Sequence, residues 1–173
     1  IKRALAVLRY VAAQPEGARL RDVARDCALN KATCHRILAA LVEEGYLQTA
    51  PGGIVYRLGW EALAIGWTAQ ARRDLPSLAR PGMMRIAEKT GDSVFLSIRS
   101  GLDAVCIGRE VGSFPIKTLT LDIGSRRPLG VGAGSMALLA FTSTEERAEI
   151  VDAIEPQLSS FPGFSRGFLT ELA

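Results

Sequence analysis

The first 60 residues contain three short helical segments followed by two short strands, an order that few folds accommodate. Apolar residues recur at i, i+3, i+4 and i+7, which predicts helices over residues 1–13, 20–28 and 31–44. Pro15 and Gly17 end the first helix. The predicted buried stripes are Ile1, Ala4, Leu5, Leu8, Val11 and Ala12 in the first helix, Leu20, Val23, Ala24 and Cys27 in the second, and Cys34, Ile37, Leu38 and Leu41 in the third.

Two strands are predicted over residues 46–49 and 54–58, with Pro51-Gly52 at the centre of a type II turn between them. Asn30 is a favourable N-cap for the third helix, and Gly45 supplies a left-handed stop after it. Three helices followed by a hairpin form a winged helix-turn-helix, whose third helix places its N-terminal turn in the major groove of DNA. The predicted fold class is therefore α+β, with a winged helix-turn-helix DNA-binding domain over residues 1–59.

The third helix has an outward face suited to DNA. At 100° per residue, Ala32, His35 and Arg36 lie away from the buried stripe, and Thr33 lies at its flank. Ala32 allows close approach, Thr33 can meet a phosphate or a thymine methyl group, and Arg36 can donate two hydrogen bonds to guanine or phosphate. Lys31 lies at the positive end of the helix dipole, where phosphate is favoured.

Charge is distributed unevenly along the chain. Residues 1–73 hold 11 Lys or Arg against 6 Asp or Glu, a net charge of +5, whereas residues 74–173 hold 10 against 12, a net charge of −2. A basic first half favours a nucleic-acid partner. Arg57 on the second strand is predicted to reach the flanking DNA backbone as part of the wing. Because winged helices also serve as protein-interaction modules, a domain without specific DNA binding remains the alternative.

A longer helix is predicted from Trp60 to about Arg73, followed by a domain boundary at residues 72–76. Its apolar stripe, which includes Trp60 and Trp67, is expected to pack in a core or a dimer interface. Beyond the boundary we expect a helix over 78–90 that is kinked or restarted at Pro81. The later elements are predicted as strands 93–99, 104–109 and 116–122, helix 135–141, a helix opened by a capping box at Ser143–Glu146 and ending near 154, a loop over 156–167, and the start of an element at 168–173.

The segment that leads into the helix at 135 is rich in glycine. Gly130, Gly132 and Gly134 could present backbone N–H groups to a carboxylate or carbonyl at the helix N-terminus, or they could form a plain strand-to-helix turn. The segment lacks the lysine of the P-loop and the G-x-G-x-x-G spacing, which excludes a nucleotide-binding enzyme of those classes.

The inventory of reactive residues argues against catalysis and against metal binding. There is a single histidine, His35, and the three cysteines, Cys27, Cys34 and Cys106, form no C-x-x-C pair. Cys106 on a predicted strand is expected to be a packing residue. With no Ser/His/Asp or Cys/His set, no apolar run of roughly 18 residues and no signal peptide pattern, we expect a cytoplasmic protein that is neither an enzyme nor cofactor-dependent.

Two motifs carry a family resemblance. They are Ala24-Arg-Asp-Cys-Ala-Leu-Asn-Lys-Ala-Thr-Cys-His-Arg-Ile-Leu38 and Leu41-Val-Glu-Glu-Gly-Tyr-Leu47. Together with Arg3-Ala4-Leu5 and Tyr56-Arg57-Leu58-Gly59, they resemble the DNA-binding motif of the IclR family of transcriptional regulators, and the resemblance covers essentially the whole chain.

The resemblance implies a linker helix over residues 60–74 and a GAF-like effector-binding domain over residues 75–173, truncated at its C-terminus. It further implies a homodimer or a dimer of dimers that binds a palindromic operator in double-stranded DNA and responds to a small effector, expected to be an organic acid. The group Thr33, His35 and Arg36 matches the recognition-helix pattern of the family. The residues that would contact the effector are Leu129, Gly130, Val131, Gly132, Ala133, Gly134 and Ser135.

Two single positions and one short segment depart from the family pattern. Ala28 replaces the usual turn glycine, and Asn30 replaces the usual proline. Asn30 still permits the turn because its side chain can cap the following helix. Gly134-Ser135-Met136 stands where many members have Ala-x-Gly-Lys, so a charge is lost beside the expected effector site.

Overall fold

The computed structural model describes residues 1–71, 74–115 and 121–172. It divides the chain into two compact units, Ile1–Asp74 and Leu75–Ala173. Among the described residues, no helix is both long enough and apolar enough to traverse a lipid bilayer.

Unit 1 folds as three helices, a small sheet and a further helix. The sheet has the antiparallel order β1-β3-β2, so the hairpin β2–β3 forms the wing and β1 joins its inner edge. The helices and strands are α1 Lys2–Ala12, β1 Ala18–Arg19, α2 Leu20–Asp26, α3 Lys31–Glu43, β2 Leu47–Thr49, β3 Val55–Leu58 and α4 Trp60–Ala71. The predicted winged helix-turn-helix is confirmed, and the short strand β1 is an addition to it.

The turns of unit 1 follow from local chemistry. Gly45 has φ 73° and ends α3 in the left-handed region, as predicted. In the wing turn, Gly52 has φ 96° and the Gly53 N–H donates to the Ala50 carbonyl at 2.9 Å, as expected when Gly occupies the third position of a type II turn. Ala28, in the turn between α2 and α3, has φ 51°, a backbone conformation that costs a non-glycine residue energy.

The core of unit 1 lies where the three helices meet the sheet. Its fully buried members are Val7, Val11, Ala18, Val23, Cys34, Leu38 and Leu47. The predicted stripe of α1 is partly wrong, because Ile1 and Leu5 are exposed and the buried face centres on Val7 and Val11. The helix has two apolar faces, and only packing against α3 and β3 decides which one is buried.

Unit 2 is built on a second antiparallel sheet of order β4-β5-β6. Its elements are α5 Leu75–Thr90, β4 Val94–Ser100, β5 Asp103–Glu110, β6 Arg126–Pro128, α6 Ala133–Ala140, α7 Thr144–Leu158 and α8 Arg166–Leu172. Its largest core cluster consists of Ala104, Leu129, Val131, Leu139, Ile150, Val151, Ile154, Leu158 and Leu169.

Several expectations for unit 2 are corrected by the structure. Helix α5 begins at Leu75 and continues through Pro81 without restarting, because Met83 and Ala87 on the following turns are buried. Helix α7 continues through Pro156, where a loop was expected, because its last turn places Leu158 in the core. Strand β6 was not anticipated. Of the predicted strand 116–122, residues 116–120 lie outside the described residues, and Leu121 and Asp122 are not in a strand.

The cap of α7 combines a predicted and an unpredicted contact. The Ser143 hydroxyl accepts a hydrogen bond from the Glu146 backbone N–H at 3.2 Å, as a capping box requires. The Glu146 carboxylate accepts a hydrogen bond from Arg99 on β4 at 2.7 Å. This ion pair ties the start of α7 to the sheet.

Candidate nucleic-acid interface and effector cleft

The first two turns of α3 expose the residues that the sequence assigns to its outward face. Lys31, Ala32, His35 and Arg36 are exposed and Thr33 is half-buried, as the periodicity predicted. They stand on a support in which Cys34 and Leu38, on the opposite face of the same helix, are completely buried. The buried stripe therefore sets the rotation of the helix about its axis.

The helix dipole gives the N-terminus of α3 a partial positive charge that no acidic residue of its first turn neutralises. The Asn30 side chain accepts a hydrogen bond from the Thr33 N–H at 2.8 Å, and the first turn contains no acidic residue. The side chains of Lys31, His35 and Arg36 make no hydrogen bond or ion pair with any residue that the structure describes. Their donors and the helix dipole are thus available to an external acceptor, and duplex DNA offers such acceptors on its phosphates and in its major groove.

Arg57 lies on β3, paired opposite Gln48, and is exposed. Its guanidinium donates to the Glu16 carbonyl at 3.4 Å, a long contact that leaves most of its donors unused. The structure thus places Arg57 on the wing sheet.

Unit 2 contains a cleft of about 790 Å³ between the strands β4 and β5 and the start of α6. A volume of this size is suited to a small organic molecule. From the predicted effector segment, Val131, Gly132, Ala133, Gly134 and Ser135 all line it. The lining is mostly apolar, with Arg127 and Asp92 as its charged members.

Two of the predicted effector residues lie elsewhere. Leu129 is completely buried in the core and Gly130 is buried beside it, and neither lines the cleft. Gly130 has φ 90°, and a Cβ at this position would lie 2.8 Å from a methyl group of Leu169. The close approach of α8 explains this glycine, so it is a packing residue.

Strand β4 and the two residues before it contribute to the cleft, which the sequence did not predict. Residues 92–97 line the cleft, and the Oγ of Ser93 is buried without a hydrogen-bond partner in the described part of the chain. A buried hydroxyl without a partner is costly, so it favours a ligand that bonds to it. Serines in a mostly apolar predicted strand are a sequence pattern that could have indicated a polar site. Only the packing of the sheet shows which of these serines face a cavity.

Cys106 also lines the cleft and is nearly fully buried. Burial raises the pKa of its thiol above the ordinary value, and the thiol donates a weak hydrogen bond to the Gly108 carbonyl at 3.5 Å. A thiol that resists ionisation is a poor nucleophile. The cysteine therefore belongs to the wall of the cleft as a packing residue, in agreement with the prediction for it.

The sequence matches known families over both units. Residues 1–51 match the family described as IclR helix-turn-helix domain, and residues 68–160 match Bacterial transcriptional regulator IclR C-terminal. The chain is 31% identical over 116 residues to HTH-type transcriptional regulator KipR of Bacillus subtilis, which covers 67% of this chain and 46% of that protein. The chain spans about half the length of the curated relatives it matches.

Solved structures share the fold. An IclR family transcriptional regulator from Brucella abortus is 24% identical with a TM-score of 0.75, covering 98% of this chain and 62% of that one. An IclR homolog complexed with 4-hydroxybenzoate, from Microbacterium hydrocarbonoxydans, is 22% identical with a TM-score of 0.69, covering 87% of this chain and 62% of that one.

Proposed function

The chain belongs to the IclR family of transcriptional regulators, and on that premise we propose that it binds double-stranded DNA through α3 and responds to a small organic effector bound in unit 2. Its role is regulatory rather than catalytic. One observation carries the proposal: the first two turns of α3 expose the side chains of Lys31, His35 and Arg36 without partners among the described residues, opposite a buried stripe. In this proposal Ala32 allows the close approach, and Thr33 and Arg57 contact the flanking backbone.

The test is binding of the full chain to a duplex taken from upstream of its own gene, measured by fluorescence anisotropy between 50 and 200 mM salt. A scrambled duplex of the same length is the control. Each phosphate contact should contribute about −0.9 to the slope of log K against log salt. Absence of binding, or binding that ignores salt, would contradict the proposal and favour the alternative of a protein-interaction module.

We propose the residues 92–97 and 131–135 as the walls of the effector site, which lies in the domain beginning at residue 75. The buried Ser93 hydroxyl and the half-buried Arg127 at its wall support an effector that carries a hydrogen-bond acceptor and a negative charge, such as a small organic acid. A panel of such acids, with 4-hydroxybenzoate among them, should contain one that changes the operator affinity. A coupling of about 1–3 kcal/mol corresponds to a change of roughly 5–150-fold.

We propose further that two copies associate through α1 and α4. Trp60 and Trp67 of α4 are 75% and 64% exposed, so neither packs in the core of unit 1. Ile1 and Leu5 of α1 are likewise exposed. Exposed apolar residues in such numbers are typical of an interface. A dimer would present two recognition helices to a palindromic operator about 10 bp apart, and a dimer of dimers would bind two such sites.

The dimer is tested by sedimentation equilibrium of the wild type and of Trp67→Glu. We expect a dimer or tetramer for the wild type and a monomer for the variant, because a charge in an apolar interface is costly to desolvate. Glu61→Gln, a change on the same helix at an exposed polar residue, is the matched control.

A further inference from the structure

The sheet of unit 1 has an outer face that none of the described helices of this unit covers. Ala18 and Leu47 are buried and Tyr56 packs against the core, so these three residues define the inner face. Side chains alternate along a strand, which assigns the neighbouring residues to the other face. That outer face consists of Arg19, Gln48, Val55 and Arg57.

Two arginines are close neighbours on this face. Arg19 pairs directly opposite Val55, and Arg57 follows two residues later on the same strand. Such diagonal positions are about 7–8 Å apart in an antiparallel pair. Both side chains are exposed, so two positive charges share one small surface.

This pair of charges has no ion-pair partner among the residues that the structure describes. The Arg19 side chain makes no hydrogen bond or ion pair with the described residues, and none of the three strands contains an acidic residue. The two acids of α2, Asp22 and Asp26, are engaged elsewhere, since they pair with Arg21 and Arg25. Glu16 contributes only its carbonyl to Arg57, and its carboxylate forms no ion pair.

The fold also orients Arg57 over the turn that precedes β1. Gly17 has φ 84°, and a Cβ at this position would lie 2.9 Å from Cγ of Arg57. The glycine therefore lets the aliphatic part of Arg57 lie across the turn, and the bond to the Glu16 carbonyl holds its guanidinium there. Like charges on adjacent strands repel, so this arrangement favours a bound anion.

We propose that Arg19 and Arg57 each bind one backbone phosphate of duplex DNA, so that the outer face of the sheet is a phosphate-binding surface beside the recognition helix. The proposal rests on the proposed function and adds Arg19 to the interface. Guanidinium groups bind phosphate through two parallel hydrogen bonds, and contacts of this kind hold a protein in register without reading bases. Arg19 ends β1 immediately before α2, the first helix of the helix-turn-helix, so it lies on the rigid support of α3.

The experiment measures the salt dependence of DNA binding for Arg19→Gln, Arg57→Gln and the double variant of the full chain. Arg85→Gln is the matched control, since Arg85 is also exposed and has no partner among the described residues, but it lies in unit 2. Each single variant should reduce the magnitude of the slope by about 0.9, and the double variant by about 1.8. Between 50 and 200 mM salt, the affinity of the wild type should therefore fall about 3.5-fold more than that of each single variant.

Arg19→Lys keeps the charge and should retain the wild-type slope of log K against log salt. If Arg19 had only a structural role, the slopes of Arg19→Lys and Arg19→Gln would not differ. Slopes for Arg19→Gln and Arg57→Gln equal to that of Arg85→Gln would overturn this inference while leaving the proposed function intact. A loss of affinity that is the same at every salt concentration would overturn it as well. If the wild type binds no duplex at all, both the inference and the proposed function fail.

Discussion

The Oδ1 atom of Asn30 lies 2.8 Å from the backbone nitrogen of Thr33 and accepts its hydrogen bond. This contact joins the turn of the helix-turn-helix to the first turn of α3, from which the proposed DNA contacts project. The cap also satisfies one of the N–H groups that a helix leaves unpaired at its start.

Replacing Asn30 with alanine should lower the free energy of unfolding by about 1 kcal/mol, because the Thr33 N–H loses its acceptor. Urea denaturation of the two proteins at pH 7 measures the difference. Asn30→Asp retains the acceptor and places a negative charge at the helix N-terminus, so it should remain within a few tenths of a kcal/mol of the wild type or exceed it. An alanine variant as stable as the aspartate variant would contradict the role of the cap.

Arg36→Ala should weaken the complex with the operator by on the order of 1–3 kcal/mol, because a bidentate contact to guanine or phosphate is lost. The stability should change by less than about 0.5 kcal/mol, since the side chain is exposed and makes no hydrogen bond or ion pair with the described residues. Anisotropy titrations give the first quantity and urea denaturation the second. Arg85→Ala is the control, and equal affinities of the two variants would remove Arg36 from the interface.

Ala28→Gly should stabilise the protein by about 0.5–1 kcal/mol. A left-handed alanine costs roughly 1–2 kcal/mol, from which the greater unfolded-state entropy of glycine subtracts about 0.4–1 kcal/mol. Gly45→Ala, which introduces a side chain at φ 73°, should destabilise for the same reason. Thermal unfolding of both variants tests the pair, and two changes of the same sign would refute the argument from backbone conformation.

Gly134→Leu should abolish the response to the effector without destabilising the fold. A Cβ at Gly134 meets no atom within 4 Å, the residue lines the cleft, and it lies in the first turn of α6. The added side chain therefore competes with the ligand, whereas replacing a helical glycine gains up to about 1 kcal/mol of helix propensity. Gly167→Leu makes the same change in α8 outside the cleft, and titration with the active organic acid should show an unaltered response.

The Tyr10 hydroxyl donates to the Asp26 carboxylate at 2.7 Å, which links stability to pH at both ends of the scale. The pKa of Asp26 is lowered from 3.8 to about 2, first by the hydrogen bond from Arg25 and then by that from Tyr10. The pKa of Tyr10 is raised from 10.0 to about 12, mainly by its hydrogen bond to Asp26.

A depressed carboxyl pKa contributes stability above its unfolded value, so this contribution should be lost as the pH falls from about 4 to about 2. A raised phenol pKa contributes stability below its unfolded value, and this contribution should be lost as the pH rises from about 10 to about 12. Tyr10→Phe should remove the loss at high pH and reduce the loss at low pH, where the Arg25 bond remains. Urea midpoints measured at both extremes decide the matter, and identical pH profiles for the two proteins would refute the linkage.

The local features of unit 1 were predictable because they depend on residues three or four positions apart. The cap at Asn30, the left-handed Gly45 and the turn at Gly52 are all set by a residue type and its immediate neighbours. The outward placement of His35 and Arg36 follows from the helical period once Cys34 and Leu38 are known to be apolar. None of these required knowledge of distant contacts.

Distant contacts determined the rest. In α1 the sequence offers two apolar faces, and packing against α3 buries the one with Val7 and Val11. Leu129 and Gly130 lie in the core because α8, about 40 residues later, brings Leu169 against them. A sequence pattern shows the spacing of apolar residues within each helix or strand. It does not show which other helix or strand will pack against them.

The sequence by itself therefore determined the helix-turn-helix, its caps and the outward face of α3 that we propose contacts DNA, because backbone hydrogen bonding and periodicity act over a few residues. Only the tertiary structure decided which strand residues form the cleft and that Arg19 and Arg57 share an uncovered sheet face. Strand register and the packing of one element on another arise from burial of apolar surface between segments far apart in the chain.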